Sequence, residues 1–170
     1  MIFLGLGSNL SSKYGNRFAN INLAISSLEA YGIKVIKRSS FYKTPSFPDT
    51  ENPKFINVVI LVESNLLPLD LMSTLLFIEE KLGRKRVKKN DPRTCDIDII
   101  DYNSQVLNLK YNNLDFKVPH KELASRNFVL FPLREISPMW KHPKTKETIN
   151  NLIQKLNEEE KNSILKIDDN

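Results

Sequence analysis

Residues 55–62, FINVVILV, are apolar but for one asparagine and predict a buried strand. A second apolar run at 2–6 predicts another, ended by Gly7-Ser8-Asn9. Between them, Phe18, Ile21, Ile25 and Leu28 recur at helical spacing, so 12–30 reads as an amphipathic helix stopped near Gly32. Residues 33–42 favour strand, and 44–54, with three prolines, must loop. Pro68 opens a second helix that runs to about 82, where Gly83 stops it. Further strands are expected at 95–102, around 106–109 and around 128–130, with a helix after Lys146. The polar residues from about 157 are expected to fray. The alternation predicts an α+β fold over 1–170 as a single domain, a sandwich with a mostly antiparallel central sheet.

Composition narrows the class. No apolar run approaches the length needed to span a bilayer, so no membrane partner is expected. The start, MIFLGLGSNL, lacks a basic segment ahead of its short apolar run, which argues for a cytoplasmic protein. With Cys95 alone, no internal disulfide is possible. The net charge of +5 becomes informative once located. Residues 81–93, KLGRKRVKKNDPR, hold seven Lys/Arg and one Asp; the rest of the chain holds 18 basic and 19 acidic residues. A single cationic focus points to a discrete anionic ligand rather than to a nucleic-acid surface.

That focus precedes CDIDII at 95–100, where two carboxylates interrupt an apolar strand. Alternation puts Asp96 and Asp98 on one face, with Cα atoms about 6.5 Å apart. At that separation their charges repel by about 2.5 kcal/mol at an effective dielectric near 20. A solvent-facing edge strand would tolerate them, because charge there discourages edge pairing. The neighbouring Arg84, Arg86 and Arg93 favour a second reading: carboxylates for Mg²⁺ and guanidiniums for phosphate oxygens, hence a polyphosphate site. Cys95, on the opposite face, reads as a small packed hydrophobe.

Other positions are open to two readings each. Glu79 falls on the apolar face of the second helix and needs a partner, either an arginine that holds the fold or a contact beneath the site. Asn57 shares a strand face with Phe55; amide and ring suit a flat heterocycle, or equally a core phenylalanine beside a backbone-bound asparagine. His120, Arg126 and Phe128 lie close in sequence, where a surface histidine and a core ring are the plain alternative. The GLGSN at 5–9 lacks the full GxGxxG and GK[ST] patterns, so it reads as a tight strand exit with helix capping.

Taken in order, GSN at 7–9, SSFYKTP at 39–45, FIN at 55–57, IEEKLGRKR at 78–86, PRTCDIDII at 92–100, VPH at 118–120 and RNFVLFPL at 126–133 resemble the 6-hydroxymethyl-7,8-dihydropterin pyrophosphokinase family along nearly the whole chain. The resemblance implies a ferredoxin-like α/β/α sandwich. It also implies transfer of the β,γ-diphosphate of ATP to the pterin hydroxymethyl group, with two Mg²⁺ ions held by Asp96 and Asp98. Arg84, Arg86, Arg93, His120 and Arg126 match positions that contact phosphates or the reacting centre, and Ile99 one that lines the adenine pocket. Thr44, Pro45, Phe47, Phe55, Asn57 and Phe128 match the pterin pocket, with Phe55 and Phe128 stacking on the ring. Glu79 matches an acidic position at the ATP–pterin site.

The chain departs from the pattern in three places. Lys89-Asn90-Asp91 stands where Arg-Trp-Gly is frequent, in a loop one residue shorter. Lys121 follows the histidine in place of an aromatic residue and adds charge toward ATP. Phe55 replaces a frequent tyrosine and lacks its hydroxyl. The expected partners are the small molecules ATP and 6-hydroxymethyl-7,8-dihydropterin, with no nucleic acid, for a free-standing enzyme acting as a monomer. A nucleic-acid-binding protein using 84–93, and a two-metal phosphoesterase using the aspartates, are the competing functions.

Overall fold

The computed structural model describes residues 1–84, 91–111 and 114–167. A six-stranded antiparallel sheet carries the fold. Its strands are β1 (Ile2–Ser8), β2 (Lys34–Arg38), β3 (Phe41–Thr44), β4 (Phe55–Glu63), β5 (Asp96–Tyr102) and, near the C-terminus, β8 (Leu165–Ile167). The order is β5-β1-β4-β3-β8, with β2 also pairing β4. A separate hairpin joins β6 (Leu107–Tyr111) to β7 (Leu114–Val118). Helices α1 (Arg17–Glu29) and α2 (Pro68–Lys81) cover one face; α3 (Asn127–Ile136) and α4 (Ile149–Lys155) cover the other. This is the expected α/β/α, ferredoxin-like sandwich. No helix among the described residues is long and apolar enough to cross a membrane.

Period-two alternation divides the core. On β4, Ile56, Val58, Ile60 and Val62 pack with Ile21, Ala24 and Leu28 of α1 and with Leu71, Leu75 and Ile78 of α2. Val59 and Leu61 face the other layer, against Val129, Leu130 and Leu133 of α3 and Leu152 and Ile153 of α4. On β5, Ile97 and Ile99 join the first layer. Ile100 alternates into the second layer; the pairing with β1 then slips between Phe3 and Leu4, a bulge that puts Asp101, paired with Phe3 and bonded by Trp140, on that side too and returns Tyr102 to the first layer.

Three boundaries differ from expectation. The first helix begins at Arg17, not near 12, because Ser12 and Gly15 close a turn through mutual backbone bonds, with Gly15 at φ +131°. Asn16 then caps the helix, its side chain accepting from the Ala19 N–H at 3.0 Å. Residues 128–130 are not a strand but the start of α3; a short apolar run does not distinguish the two, and burial of Val129, Leu130 and Leu133 decides for helix. The segment from 157, expected to fray, instead forms α5 (Glu158–Asn162) under a capping box of Asn157 and Glu160, followed by β8, which pairs with β3. A 3₁₀ turn (Leu123–Ser125) leads into α3.

Leu75 is fully buried between α2 and the sheet. Leu75→Ala is expected to cost about 3 kcal/mol of unfolding free energy, read as a lower urea midpoint at an unchanged m-value.

Candidate active site

β1 runs between β4 and β5, so its register sets a row of facing residues. Gly7 pairs with Asn57 on one side and Asp96 on the other; Gly5 likewise lies between Val59 and Asp98. Tyr42 and Thr44 continue the pattern on β3, opposite Asn57 and Phe55. Opposed residues of antiparallel strands project to the same side, so the carboxylates and the carboxamide share one surface with two glycines between them.

Those glycines supply room. Gly5 and Gly7 sit in extended β1, whereas the positive-φ glycines are Gly15, Gly32 and Gly83. A Cβ on Gly7 would stand 3.1 Å from Asn57 Oδ1 and 3.6 Å from the Phe55 ring; one on Gly5 would stand 3.1 Å from Ile100 Cδ1. The tight strand exit read from GLGSN is therefore corrected: glycine inside a strand marks close approach.

At the edge of the sheet, β5 presents Asp96 and Asp98 to a cleft of about 290 Å³, bounded also by Met72, Leu76, Arg84, Arg93, Phe116, His120 and Arg126. Both oxygens of Asp96 are engaged: Oδ1 accepts from Arg84 Nη1, and Oδ2 from Arg93 Nη1 at 2.7 Å. Burial alone would raise this carboxyl, but the two guanidiniums outweigh it and hold it below its ordinary value. Asp98 differs. Arg126 Nη1 stands 3.7 Å away, and the side chain keeps 49% exposure. The protein crowded around it, and then the Asp96 charge, push its carboxyl up to about 6. Solvent still reaches it from the open side of the cleft.

Glu79 explains how β5 is held. It is 2% exposed, its Oε1 accepts from the Ile97 N–H at 2.7 Å, and it pairs with Arg84 Nη1 at 2.5 Å. An edge-strand N–H is thus satisfied by a helix carboxylate, whose charge Arg84 balances. The arginine-pair reading of Glu79 holds, and the same arginine reaches Asp96. Cys95 is fully buried in the first core layer, where burial, then the Glu79 and Asp96 charges, push its thiol up.

His120 lines the cleft, and its Nδ1 accepts from the Glu122 N–H at 3.1 Å. Burial, then Arg126, lower its pKa, so the neutral ring carries its proton on Nε2 as a donor. Arg126 also pairs with Glu122 at 2.7 Å and lies 5.5 Å from the Phe128 ring centre. Arg93 lies 5.7 Å from that of Phe55. Thr44 is buried and accepts from Asn57 Nδ2 at 2.9 Å. That bond uses one amide hydrogen of Asn57.

Pro45 and Phe47 are exposed in the 45–54 loop, Phe47 at 86%. Lys121 is exposed. Ile99 is buried in the first core layer, while Met72, Leu76, Ile97 and Phe116 supply apolar cleft wall that sequence reasoning did not single out. Arg86, with 85–90, lies outside the described residues. The Thr94 hydroxyl, between Arg93 and Asp96, is buried without a hydrogen-bond partner.

A cleft with paired carboxylates and converging guanidiniums, beside an amide–aromatic surface on an antiparallel α/β/α sandwich, defines a group-transfer site for a phosphorylated substrate. Residues 3–138 match the model of the family described as 7,8-dihydro-6-hydroxymethylpterin-pyrophosphokinase (HPPK). The 2-amino-4-hydroxy-6-hydroxymethyldihydropteridine pyrophosphokinase of Synechocystis is 37% identical over 90% of this chain and 74% of its own. The folic acid synthesis protein fol1 of Pneumocystis carinii is 36% identical over 91% of this chain, which spans 20% of that protein. The fold recurs in a crystal structure of Plasmodium falciparum HPPK-DHPS, with a TM-score of 0.77 at 17% identity; the match covers 98% of this chain and 47% of that one. The chain belongs to the 7,8-dihydro-6-hydroxymethylpterin-pyrophosphokinase family.

Removing the Glu79 carboxylate leaves Arg84 and the Ile97 N–H without it. Glu79→Ala is expected to lose about 3–5 kcal/mol of stability, and Glu79→Gln, which keeps an acceptor for Ile97, less. Urea denaturation of both variants checks this; equal losses would contradict it.

Proposed function

We propose that this chain transfers the β,γ-diphosphate of ATP to the hydroxymethyl group of 6-hydroxymethyl-7,8-dihydropterin, releasing AMP. The observation that carries the reading is the row Asp96–Gly7–Asn57, which sets a carboxylate–guanidinium edge beside an amide–aromatic surface with a glycine between them. Family membership supports the same substrates.

The new bond joins the hydroxymethyl oxygen to the β-phosphorus, and the bond between that phosphorus and the α,β-bridging oxygen breaks. Such transfer depends on in-line positioning and on neutralising the moving charge. Arg84, Arg93 and Arg126 are the described cations nearest the carboxylates, and entry of a triphosphate gives Arg84 and Arg93 a stronger anion than Asp96. His120 Nε2–H adds a neutral donor. Phe55 and Phe128 offer faces to the pterin, and Asn57 and Thr44 offer its edge polar groups. Arg86 is assigned a phosphate contact on the family resemblance, and Lys121 a peripheral charge. Pro45 and Phe47 complete the pterin wall from their loop, and Ile99 backs the adenine side.

Asp96 and Asp98 would hold the two Mg²⁺ ions. The donor set fits: both are hard carboxylates on one face, and Asp98 is solvent-accessible. No group of three His, Cys, Asp or Glu placed to hold a metal ion occurs among the described residues, so substrate oxygens and water would complete the coordination. When bound, such ions supply charge neutralisation and a more acidic substrate hydroxyl.

Incubation with ATP, Mg²⁺ and the hydroxymethyl pterin is expected to release AMP in step with pterin diphosphate; ADP or inorganic phosphate as the nucleotide-side product would overturn the reading. Asp96→Ala and Asp98→Ala are each expected to lower turnover about a hundredfold or more. Near-normal rates in both at saturating Mg²⁺ would remove the metal assignment.

A further inference from the structure

We infer that Asn9 is a positioning residue that couples the phosphate half of the site to the pterin half, an inference that rests on the diphosphate-transfer reading. Asn9 follows β1 and is 2% exposed. Toward the phosphate side, its Oδ1 accepts from the Arg93 N–H at 2.7 Å, while the N–H groups of Asn9 and Leu10 both donate to the Arg93 carbonyl at 3.1 Å. Toward the pterin side, Asn9 Nδ2 donates to the Pro53 carbonyl at 3.1 Å and to Ser46 Oγ at 3.3 Å. The Ser46 hydroxyl donates to the same Pro53 carbonyl at 2.7 Å.

One carboxamide therefore grips two separate pieces of chain with its two different functions. The acceptor holds Arg93, whose side chain bonds Asp96 and lies over Phe55. The donor clasps the start and the end of the 45–54 loop, between Thr44 of β3 and Phe55 of β4. Phe47 lies inside that clasp, and Pro45 directly precedes it. A buried polar group satisfied on both sides moves only if its partners move with it. When a triphosphate draws Arg93 away from Asp96, the Arg93 main chain pulls on Asn9, and Asn9 pulls on both ends of the loop. Only a carboxamide serves: aspartate lacks the donor and alanine lacks both functions. Asn9 does not line the cleft of Asp96 and Asp98, so its effect belongs in the coupling between ligands.

The test titrates 6-hydroxymethyl-7,8-dihydropterin into the full chain with Mg²⁺, in the presence and absence of α,β-methylene-ATP, which occupies the site without transfer. In the unaltered protein the analogue is expected to tighten pterin binding about fivefold or more, the lower end of ordinary coupling between sites. Asn9→Asp keeps the acceptor for Arg93 but turns a carboxylate on the Pro53 carbonyl. Its analogue affinity is expected to stay within about threefold while the coupling falls to about twofold or less. Ser46→Ala, which removes one side of the clasp and leaves Asn9 intact, is expected to reduce the coupling partway, and it carries the test should Asn9→Asp fold poorly by urea denaturation. A purely structural Asn9 lowers the urea midpoint and leaves the coupling ratio unchanged; that result overturns the inference alone. An unaltered chain that binds no pterin under either condition overturns the diphosphate-transfer reading together with it.

Discussion

Hydrogen bonding along β1 is the constraint on which the site depends. A strand paired on both sides cannot slide without losing two ladders, so Asp96, Gly7 and Asn57 stay in one row. Neighbouring strands lie about 4.8 Å apart, which separates the carboxylate and carboxamide backbones by about 10 Å. That distance is set by the backbone and not by side-chain packing. Two surfaces of unlike chemistry, one of carboxylates and guanidiniums, one of amide and aromatic ring, are thereby held at a fixed offset. Glycine backbone joins them, approached closely by the Asn57 and Ile100 side chains.

Electrostatics at the β5 edge differentiates two carboxylates that the strand makes equivalent. Asp96 is drawn into a chain of charges from Glu79 through Arg84, with Arg93 on its other oxygen. Asp98, one repeat further, meets only the more distant Arg126 among the ion pairs described. The first is held ionised by its partners; the second is raised by crowding and by the first. Anchoring the whole chain of charges is Glu79, seated on the apolar side of α2 because the edge strand offers it a main-chain donor. A buried carboxylate there closes the sheet edge and orients an arginine toward the site.

Much of this was legible in the sequence. Alternation alone put Asp96 and Asp98 on one face and Cys95, Ile97 and Ile99 on the other, and the helical phase of α2 exposed Glu79 as an anomaly. Two features were not legible, for physical reasons. Gly5 and Gly7 read as turn residues because a sequence does not distinguish glycine needed for conformation from glycine needed for space; only the facing Asn57 and Ile100 side chains do. The bonds of Asn9 run to residues 37, 44 and 84 positions away, beyond any local pattern. At 128–130, the apolar run carried too few residues for its period to show, and packing on β4 decided the helix. The end of the chain is a milder case: its Asn157-x-x-Glu160 capping box was visible, but its strand depends on a free edge at β3.

The proposed function has the pterin hydroxyl attack the β-phosphorus across that fixed offset. The most direct measurement is turnover of 6-hydroxymethyl-7,8-dihydropterin labelled with ¹⁸O in its hydroxymethyl group, followed by ³¹P NMR of the products. The account predicts that the label stays with the pterin as the bridging oxygen to its diphosphate, shifting that phosphorus resonance, while AMP remains unlabelled. Label lost to water, or found on a nucleotide phosphate, would contradict it.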